Sequence, residues 1–257
     1  MQDLRIAIAN DTLREDVFDT TRQFHSVSYN RGDRLLNGTP GFPTLTSKQL
    51  SASEFAELTF GGKQMVLGSP DDPGERLASA PPFEASAPLG LATFRQILGG
   101  SYMEHERNGR VIRPYGSGGA LYSVQVVIHV RNVDGVPSGI YHVLPKAQAL
   151  EAMVLGADDI HTPLFGEGGS DWADYDFTIL YVALPNIPFA KYGARAYRLM
   201  LLEAGAMVHA ATLSAEAVGL RQRTWGGFDD ERLSVAMGVD PRAAWPLIAQ
   251  LFGRVNP

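Results

Sequence analysis

The stretch "FAKYGARAYRLMLLEAGAMVHAATLSAEAVGL", residues 189–220, decides the fold. From about residue 194 to residue 218 it carries apolar or small side chains on almost every face, which predicts one long helix buried on all sides. In a chain of this size, such a helix lies in the centre of a domain or at an interface between subunits. Lys191 and Tyr192 stand directly before it, so two side chains that can move protons are expected at its start.

The segments around this helix predict a mainly antiparallel sheet. Residues 122–133, "YSVQVVIHVRNV", alternate between apolar and polar side chains, which is typical of a half-buried strand. An Asp-Gly turn at 134–135 and the run "GIYHVL" at 139–144 predict the returning strand of a hairpin. Residues 176–185 form a continuous apolar run typical of a buried central strand, and residues 245–255 predict the last strand. The expected class is α+β, with helices packed on the sheet.

The first ninety residues predict helices separated by irregular chain. Residues 12–28 suit an amphipathic helix in which Leu13, Val17, Phe24 and Val27 share a face. The ranges that follow are a loop at 29–50, a short helix at 51–60, a proline-rich irregular segment at 68–90 that could cover a partner surface, and a short helix at 91–100 stopped by Gly99 and Gly100.

Composition excludes several classes of protein. The chain has 257 residues, a net charge of −6 and no cysteine, which excludes disulfides, thiolate catalysis and iron–sulfur clusters. It carries no basic cluster typical of nucleic-acid binding, no histidine spacing typical of a metal site and no long apolar window typical of a membrane span. The charged N-terminus lacks the apolar core of a signal peptide, so a cytoplasmic location is expected.

Two glycine-rich segments are candidates for binding a ligand. In "RPYGSGGALYS", residues 113–123, glycines before a strand would let backbone N–H groups approach an anion or a flat ring. In "WGGFDD", residues 225–230, two glycines beside aromatic side chains precede a helix and could receive a phosphate or a ring. The alternatives are a plain turn before a strand and a helix-entry turn with aromatic anchors.

Lys191 and Tyr192 are the candidates for acid–base chemistry. In a dry pocket, a neighbouring ammonium stabilises a phenolate, and such a pair can remove a weakly acidic proton from carbon. The alternative is a solvated lysine and an interfacial tyrosine at a helix start.

These segments together resemble the FMN-dependent azoline dehydrogenases of the streptolysin and microcin type, in the nitroreductase-like superfamily. The resemblance is strong from about residue 110 to the end, and the early motifs "QFH" at 23–25 and "GERLAS" at 74–79 extend it. It implies a nitroreductase-like fold in which a long central helix lies in an intertwined homodimer with FMN at the interface. It also implies two regions, an N-terminal helical and loop extension over 1–90 that could dock a partner, and an FMN-binding domain over 91–257.

The resemblance further implies an activity and partners. The expected reaction is oxidation of thiazoline or oxazoline rings in a ribosomally made precursor peptide to thiazole or oxazole. The expected partners are a cyclodehydratase and a leader-peptide-binding subunit of a synthetase complex, with no nucleic acid and no membrane. Two other functions stay open, an NAD(P)H-dependent nitroreductase or quinone reductase, and a non-catalytic FMN-binding scaffold subunit.

Site residues follow from the same resemblance. The catalytic pair falls on Lys191 and Tyr192, with either one as the immediate base. The contacts to the flavin fall on Ser117, Gly118, Gly119, Ala120, Gly226, Gly227 and Phe228. The basic residues expected at the FMN phosphate and ribityl chain are Arg76 and Arg254, with Arg113 as a substitute. The chain departs from the pattern at Tyr115-Gly116 before the serine and at Ser123-Val124-Gln125 after the loop core.

Overall fold

A computed structural model describes residues 15–27, 77–84, 87–156 and 160–255 of the chain. Its helices are α1 (Glu15–Val27), α2 (Leu91–Ser101), α3 (His161–Phe165), α4 (Asn186–Tyr192), α5 (Arg195–Glu216) and α6 (Asp230–Ala236). Its strands are β1 (His105–Arg107), β2 (Arg110–Ile112), β3 (Val124–Val130), β4 (Gly139–Leu144), β5 (Ala149–Leu155), β6 (Phe177–Ala183), β7 (Arg221–Trp225) and β8 (Trp245–Gly253). A 3-10 turn covers Gly118–Ala120.

The chain consists of two compact units. Residues 1–32 and 79–257 belong to one, and residues 33–78 belong to the other, of which only Leu77 and Ala78 are described. The expected extension over 1–90 stays a prediction, and the expected loop at 29–50 and helix at 51–60 lie outside the described residues.

The main sheet has six antiparallel strands in the order β5-β4-β3-β6-β8-β7, which confirms the α+β class. The predicted hairpin is present, with Val130 at the end of β3 paired with Gly139 at the start of β4. The predicted central strand β6 lies between β3 and β8 and is buried along its whole length. The edge strands β5 and β7 and the small hairpin β1–β2 were not predicted, because their side chains are mostly exposed or mixed and carry little apolar period.

Both faces of the sheet are covered, so the prediction of a half-buried β3 was wrong. Val126 and Ile128 pack on the side of α5, whereas Val127 packs with Leu180 into a second cluster on the opposite side. Alternate residues of a strand point to opposite faces, so a strand between two packed layers is apolar on both.

Helix α5 covers one face of the sheet and exposes its other side. Met200, Ala204 and Met207 face the sheet, while Leu202 is 71% exposed and Leu213 is 54% exposed. The prediction of a helix buried on all sides was therefore wrong for the single chain. Burial of this helix at an interface between subunits, the other expectation, stays a prediction.

Two smaller differences concern the shorter helices. Helix α1 is present as expected, but it buries Thr21 and His25 while Phe24 is 63% exposed. Helix α2 continues through its two glycines to Ser101, since an α-helix tolerates glycine where its other residues pack well. None of the helices in the described part of the chain has the length and apolar character of a membrane span.

Candidate active site

The glycine loop, residues 113–123, and the short helix α4 meet at one end of the sheet. The loop leads directly into β3, and α4 begins shortly after β6 ends. Because Val124 at the start of β3 pairs with Ala183 at the end of β6, both connections leave the sheet at the same end. The sheet register thereby brings together two segments that lie about seventy residues apart in the sequence.

Gly119 touches the Lys191–Tyr192 pair. Its backbone is left-handed, with φ of 61°, and a Cβ on it would overlap the Tyr192 Oη and lie 2.8 Å from the Lys191 Nζ. The Nζ lies 5.1 Å from the centroid of the Tyr192 ring, so the two side chains also contact each other. Lys191 is exposed and Tyr192 is half-buried, which leaves both accessible to a ligand.

The pair stands before the long helix as expected, but it ends α4, a short helix that was not predicted. Gly193 follows with φ of 55° and ψ of −147°, a conformation that only glycine adopts easily, and α5 begins at Arg195. The break turns the last turn of α4 towards the glycine loop.

Glu203, which sequence reasoning missed, anchors the glycine loop. This residue lies on the inner side of α5, is 3% exposed, and accepts hydrogen bonds from the Ser117 Oγ at 2.6 Å and the Ser123 Oγ at 3.2 Å. Its other oxygen accepts the Val124 N–H at 3.0 Å. Burial raises the pKa of the carboxyl group, and the three hydrogen bonds partly offset that effect. The sequence could have indicated this role, because Glu203 is the one charged residue among the apolar and small residues 199–208.

The remaining loop residues present bare backbone. Gly118 packs against α5, where a Cβ would lie 3.1 Å from the Leu199 Cδ1. Ala120 is exposed and also left-handed, with φ of 54°. The surface beside the pair is therefore made of peptide groups and one methyl group.

Gly226, Gly227 and Phe228 lie apart from this arrangement within one chain. They follow the edge strand β7. Strands β6 and β8 lie between β7 and β3, the strand that the glycine loop enters. Phe228 is 3% exposed and packs in the cluster on the sheet face opposite α5, and a Cβ on Gly227 would lie 3.2 Å from the Trp225 ring. Their contact with a flavin stays a prediction.

The predicted phosphate ligands are engaged elsewhere or lie outside the described residues. Arg113 pairs with Glu104 at 2.9 Å and stacks over the Tyr122 ring at 4.2 Å. Arg254 pairs with the buried Asp176 at 2.7 Å and also donates to the Ala87 carbonyl. Arg76 lies outside the described residues.

Arg254 is also remote from the pair along the sheet. It follows β8 at the end where Phe252 pairs with Phe177, and Phe177 pairs with Val130. Strand β3 has seven residues, so the two ends of the sheet are about 20 Å apart. Arg195 and Arg198, in the first turn of α5, are exposed cations much closer in sequence to the pair.

The arrangement fits a flat heteroaromatic ring. A ring can lie against the exposed peptide groups of Gly119 and Ala120 on the side that Lys191 and Tyr192 do not occupy, because these two residues carry nothing larger than a methyl group themselves. Lys191 and Tyr192 then supply a cation and a hydroxyl group beside it. Among the described residues, no group of three or more His, Asp or Glu side chains is arranged to hold a metal ion.

The sequence model of the Nitroreductase family matches residues 113–254, from the first residue of the glycine loop to the residue after β8. More than half of the chain is covered, so this chain belongs to the nitroreductase family. Proteins of this family are flavin-dependent, and the cofactor of this chain is a flavin.

Two relatives narrow the comparison. The chain is 34% identical over 187 residues to the microcin B17-processing protein McbC of Escherichia coli. The matched region covers 71% of this chain and 68% of that protein. It is 25% identical over 179 residues to MJ1384 of Methanocaldococcus jannaschii, named as a nitroreductase, covering 66% of this chain and 83% of that protein.

Solved structures agree with these relatives. A chain of the E. coli microcin synthetase McbBCD complex with truncated pro-MccB17 bound superposes with a TM-score of 0.85 and 28% identity, over 100% of this chain and 99% of that chain. A nitroreductase from Anabaena variabilis superposes with a TM-score of 0.60 and 21% identity, over 70% of this chain and 36% of that chain, and shows the shared fold. The expected nitroreductase-like fold is confirmed.

Proposed function

We propose that this protein is an FMN-dependent azoline dehydrogenase, which oxidises thiazoline or oxazoline rings in a ribosomally made precursor peptide to thiazole or oxazole. The observation that carries the proposal is the contact of Lys191 and Tyr192 with Gly119 in the glycine loop. Similarity to the microcin B17-processing protein McbC, in sequence and in structure, supports it.

The reaction determines which groups the site must contain. Aromatising an azoline removes a proton from the ring carbon that was the peptide α-carbon and a hydride from the adjacent ring carbon. A new carbon–carbon double bond forms between these two carbons. The protein must therefore provide a base at one carbon and hold the other against a two-electron acceptor.

The Lys191–Tyr192 pair is the proposed base. The two side chains touch each other and the loop, and both can reach a ligand lying on the backbone of Gly119. A phenolate oxygen would accept the carbon-bound proton, and the ammonium beside it would stabilise the negative charge. The reverse assignment, in which a neutral lysine takes the proton, uses the same geometry.

The glycine loop is the proposed platform for the cofactor. When bound, FMN would accept the hydride from the substrate ring. Gly118, Gly119 and Ala120 would contact the isoalloxazine ring through their peptide groups, on the side of the loop that Leu199, Lys191 and Tyr192 do not occupy. Arg195 and Arg198 are exposed cations of the neighbouring helix that could neutralise the phosphate in addition to Arg76, Arg113 and Arg254.

A homodimer completes the proposed site. The outer side of α5 carries Leu201, Leu202 and Leu213, three large apolar side chains that are exposed to solvent in the single chain. Pairing these sides in a second copy would bury them and would bring residues of the partner subunit close to α4. A dimer would also allow the Gly226–Phe228 turn of one subunit to approach the glycine loop of the other.

The proposed partners are a cyclodehydratase, a leader-peptide-binding subunit and the precursor peptide. The cyclodehydratase must act first, because it forms the azoline rings that a dehydrogenase consumes. The structural relative comes from a synthetase complex with a truncated precursor bound.

The first test combines a spectrum with two substitutions. Purified protein should be yellow and release about one FMN per chain, identified by mass. Lys191→Ala and Tyr192→Phe should each keep the fold and the flavin yet lose azoline oxidation by about 100-fold or more, the usual scale of a lost acid–base group. The measurement is mass loss of 2 Da per ring in an azoline-containing peptide.

Lys146→Ala is the matched control, because Lys146 is an exposed lysine in the turn after β4 and belongs neither to the glycine loop nor to α4. Wild-type rates in both site variants would remove the pair from the mechanism. Rapid NAD(P)H oxidation without azole formation would instead favour a reductase, the function named for the M. jannaschii relative. Bound FMN with neither activity would favour a scaffold subunit.

A further inference from the structure

Glu203 is the only carboxylate in the central part of α5 and is buried against the sheet. A buried carboxylate is costly unless donors surround it, and here the donors all come from one segment. They are the Ser117 Oγ at 2.6 Å, the Ser123 Oγ at 3.2 Å and the Val124 N–H at 3.0 Å. One helix residue therefore binds the glycine loop at Ser117, at its last residue Ser123, and at the first residue of β3.

The hydrogen bonds close the loop. The Ser117 Oγ, which donates to Glu203, also accepts the Tyr122 N–H at 2.8 Å. Ser117 and Val124 are thereby held to one carboxylate, and the residues between them are forced into a short arch. Gly119 stands at its tip, where it touches Lys191 and Tyr192.

The arch is strained. Ala120 has φ of 54° and Tyr122 has φ of 48°, and both are residues that seldom adopt a left-handed backbone. Strained conformations persist only where surrounding contacts fix them, and they cluster at functional sites. Without the carboxylate, the serine hydroxyls and the Val124 N–H would lose their common acceptor, and the arch would relax away from the pair.

We propose that Glu203 is a positioning residue, which acts through Ser117 and Ser123 to hold Gly119 against the Lys191–Tyr192 pair and so sets the geometry of flavin, base and substrate. The role rests on the proposed function for its effect on rate. Its effect on the loop is independent of that function and can be measured without substrate.

The experiment compares Glu203→Gln, Glu203→Ala and Ser117→Ala with the wild-type holoprotein. Glutamine keeps an acceptor for the Val124 N–H, so it should preserve part of the loop, whereas alanine removes every contact. Backbone hydrogen exchange over residues 113–123, followed by mass spectrometry, should speed up slightly in the glutamine variant and at least tenfold in the alanine variant. Glu216→Gln, at the other end of α5, is the matched control and should leave exchange unchanged.

Activity supplies the second readout. The kcat for azoline oxidation should fall about 100-fold in Glu203→Ala and about tenfold in Glu203→Gln, while KM and flavin content change little, because misplaced reacting groups slow the chemical step. The Ser117→Ala and Glu203→Gln effects should combine less than additively, since both act on the same hydrogen bond.

The outcomes separate the two proposals. Unchanged loop exchange in Glu203→Gln and Ser117→Ala would overturn the positioning role, whatever the activity, and would do so even if Glu203→Ala failed to fold. Faster exchange with wild-type kcat would also overturn it. If the variants exchange faster but the wild-type protein itself oxidises no azoline, the positioning role of Glu203 in the loop would stand. The azoline dehydrogenase function would then be wrong.

Discussion

The two glycine-rich segments of this protein look alike in sequence and differ in their surroundings. The glycine loop at 113–123 and the turn at 225–230 both carry adjacent glycines beside aromatic residues and both lead into a regular element. In the glycine loop, the space beside Gly119 is occupied by the Lys191–Tyr192 pair. In the turn, Phe228 packs in the core, and a Cβ at Gly226 would make only an ordinary contact with the Ile248 Cδ1. The surroundings of the two segments therefore differ within one chain, and the flavin contact expected at the turn stays a prediction.

The largest expected effect concerns the turn at 225–230 and its place in the core. Phe228→Ala should lower the free energy of unfolding by about 3–5 kcal/mol, because it leaves a cavity where a large buried ring stood. Chemical denaturation of the flavin-free protein measures this. A loss below 1 kcal/mol together with loss of flavin would contradict the comparison and move Phe228 to the cofactor site.

A smaller effect in free energy, but a larger one in function, is expected at the glycine loop. A Cβ at Gly119 meets the far ends of Tyr192 and Lys191, which can move, so Gly119→Ala should displace the pair without unfolding the protein. Azoline oxidation should fall about 100-fold, equivalent to about 2.7 kcal/mol of transition-state stabilisation.

Gly226→Ala is the matched variant for this test. A Cβ at Gly226 would lie 3.5 Å from the Ile248 Cδ1, an ordinary contact, so this variant should keep close to wild-type activity and stability. Equal losses in the two glycine variants would mean that both segments contact the cofactor in the dimer.

The smallest expected effect is on the pH dependence of stability through Glu203. Burial raises the pKa of this carboxyl group in the folded protein above its ordinary value of 4.5. A group of this kind favours the folded state while it is protonated, and that contribution is lost as the pH rises through the folded-state pKa. Relative to Glu203→Gln, the wild-type protein should therefore be most stable in acid and lose relative stability from about pH 4.5 upwards.

Denaturation curves for both proteins between pH 4 and pH 8 measure this difference. A wild-type advantage that grows with pH would show that the three hydrogen bonds outweigh the cost of burying the charge. The anchor at Glu203 would then be stronger than its burial indicates.

Much of the fold could be predicted because it is encoded in local periodicity. The β3–β4 hairpin follows from an alternating run and an Asp-Gly turn, and β6 from a continuous apolar run. Helix α5 was predicted nearly to its observed ends. The helix expected after residues 225–230 is present as α6, and the Asp229 side chain caps it by accepting the Arg232 N–H at 2.9 Å.

Other features depend on neighbours that are distant in sequence. The exposed side of α5 and the burial of β3 on both faces depend on which layers cover them. From the sequence, Arg113 and Arg254 were expected to be available for a phosphate. In the structure, Arg113 forms a salt bridge with Glu104, and Arg254 forms one with Asp176. Such pairings have no sequence period, so composition and spacing cannot predict them.

The sequence by itself determined the class of fold, the two glycine-rich segments and the Lys191–Tyr192 pair, because these depend on residue type and short-range spacing. Only the tertiary structure decided that the pair ends α4, touches Gly119 and shares its loop with the carboxylate of Glu203. The physical reason is that a strand register and a helix break bring these groups together across the chain. Hydrogen bonds and contacts of that range act only once the sheet has formed.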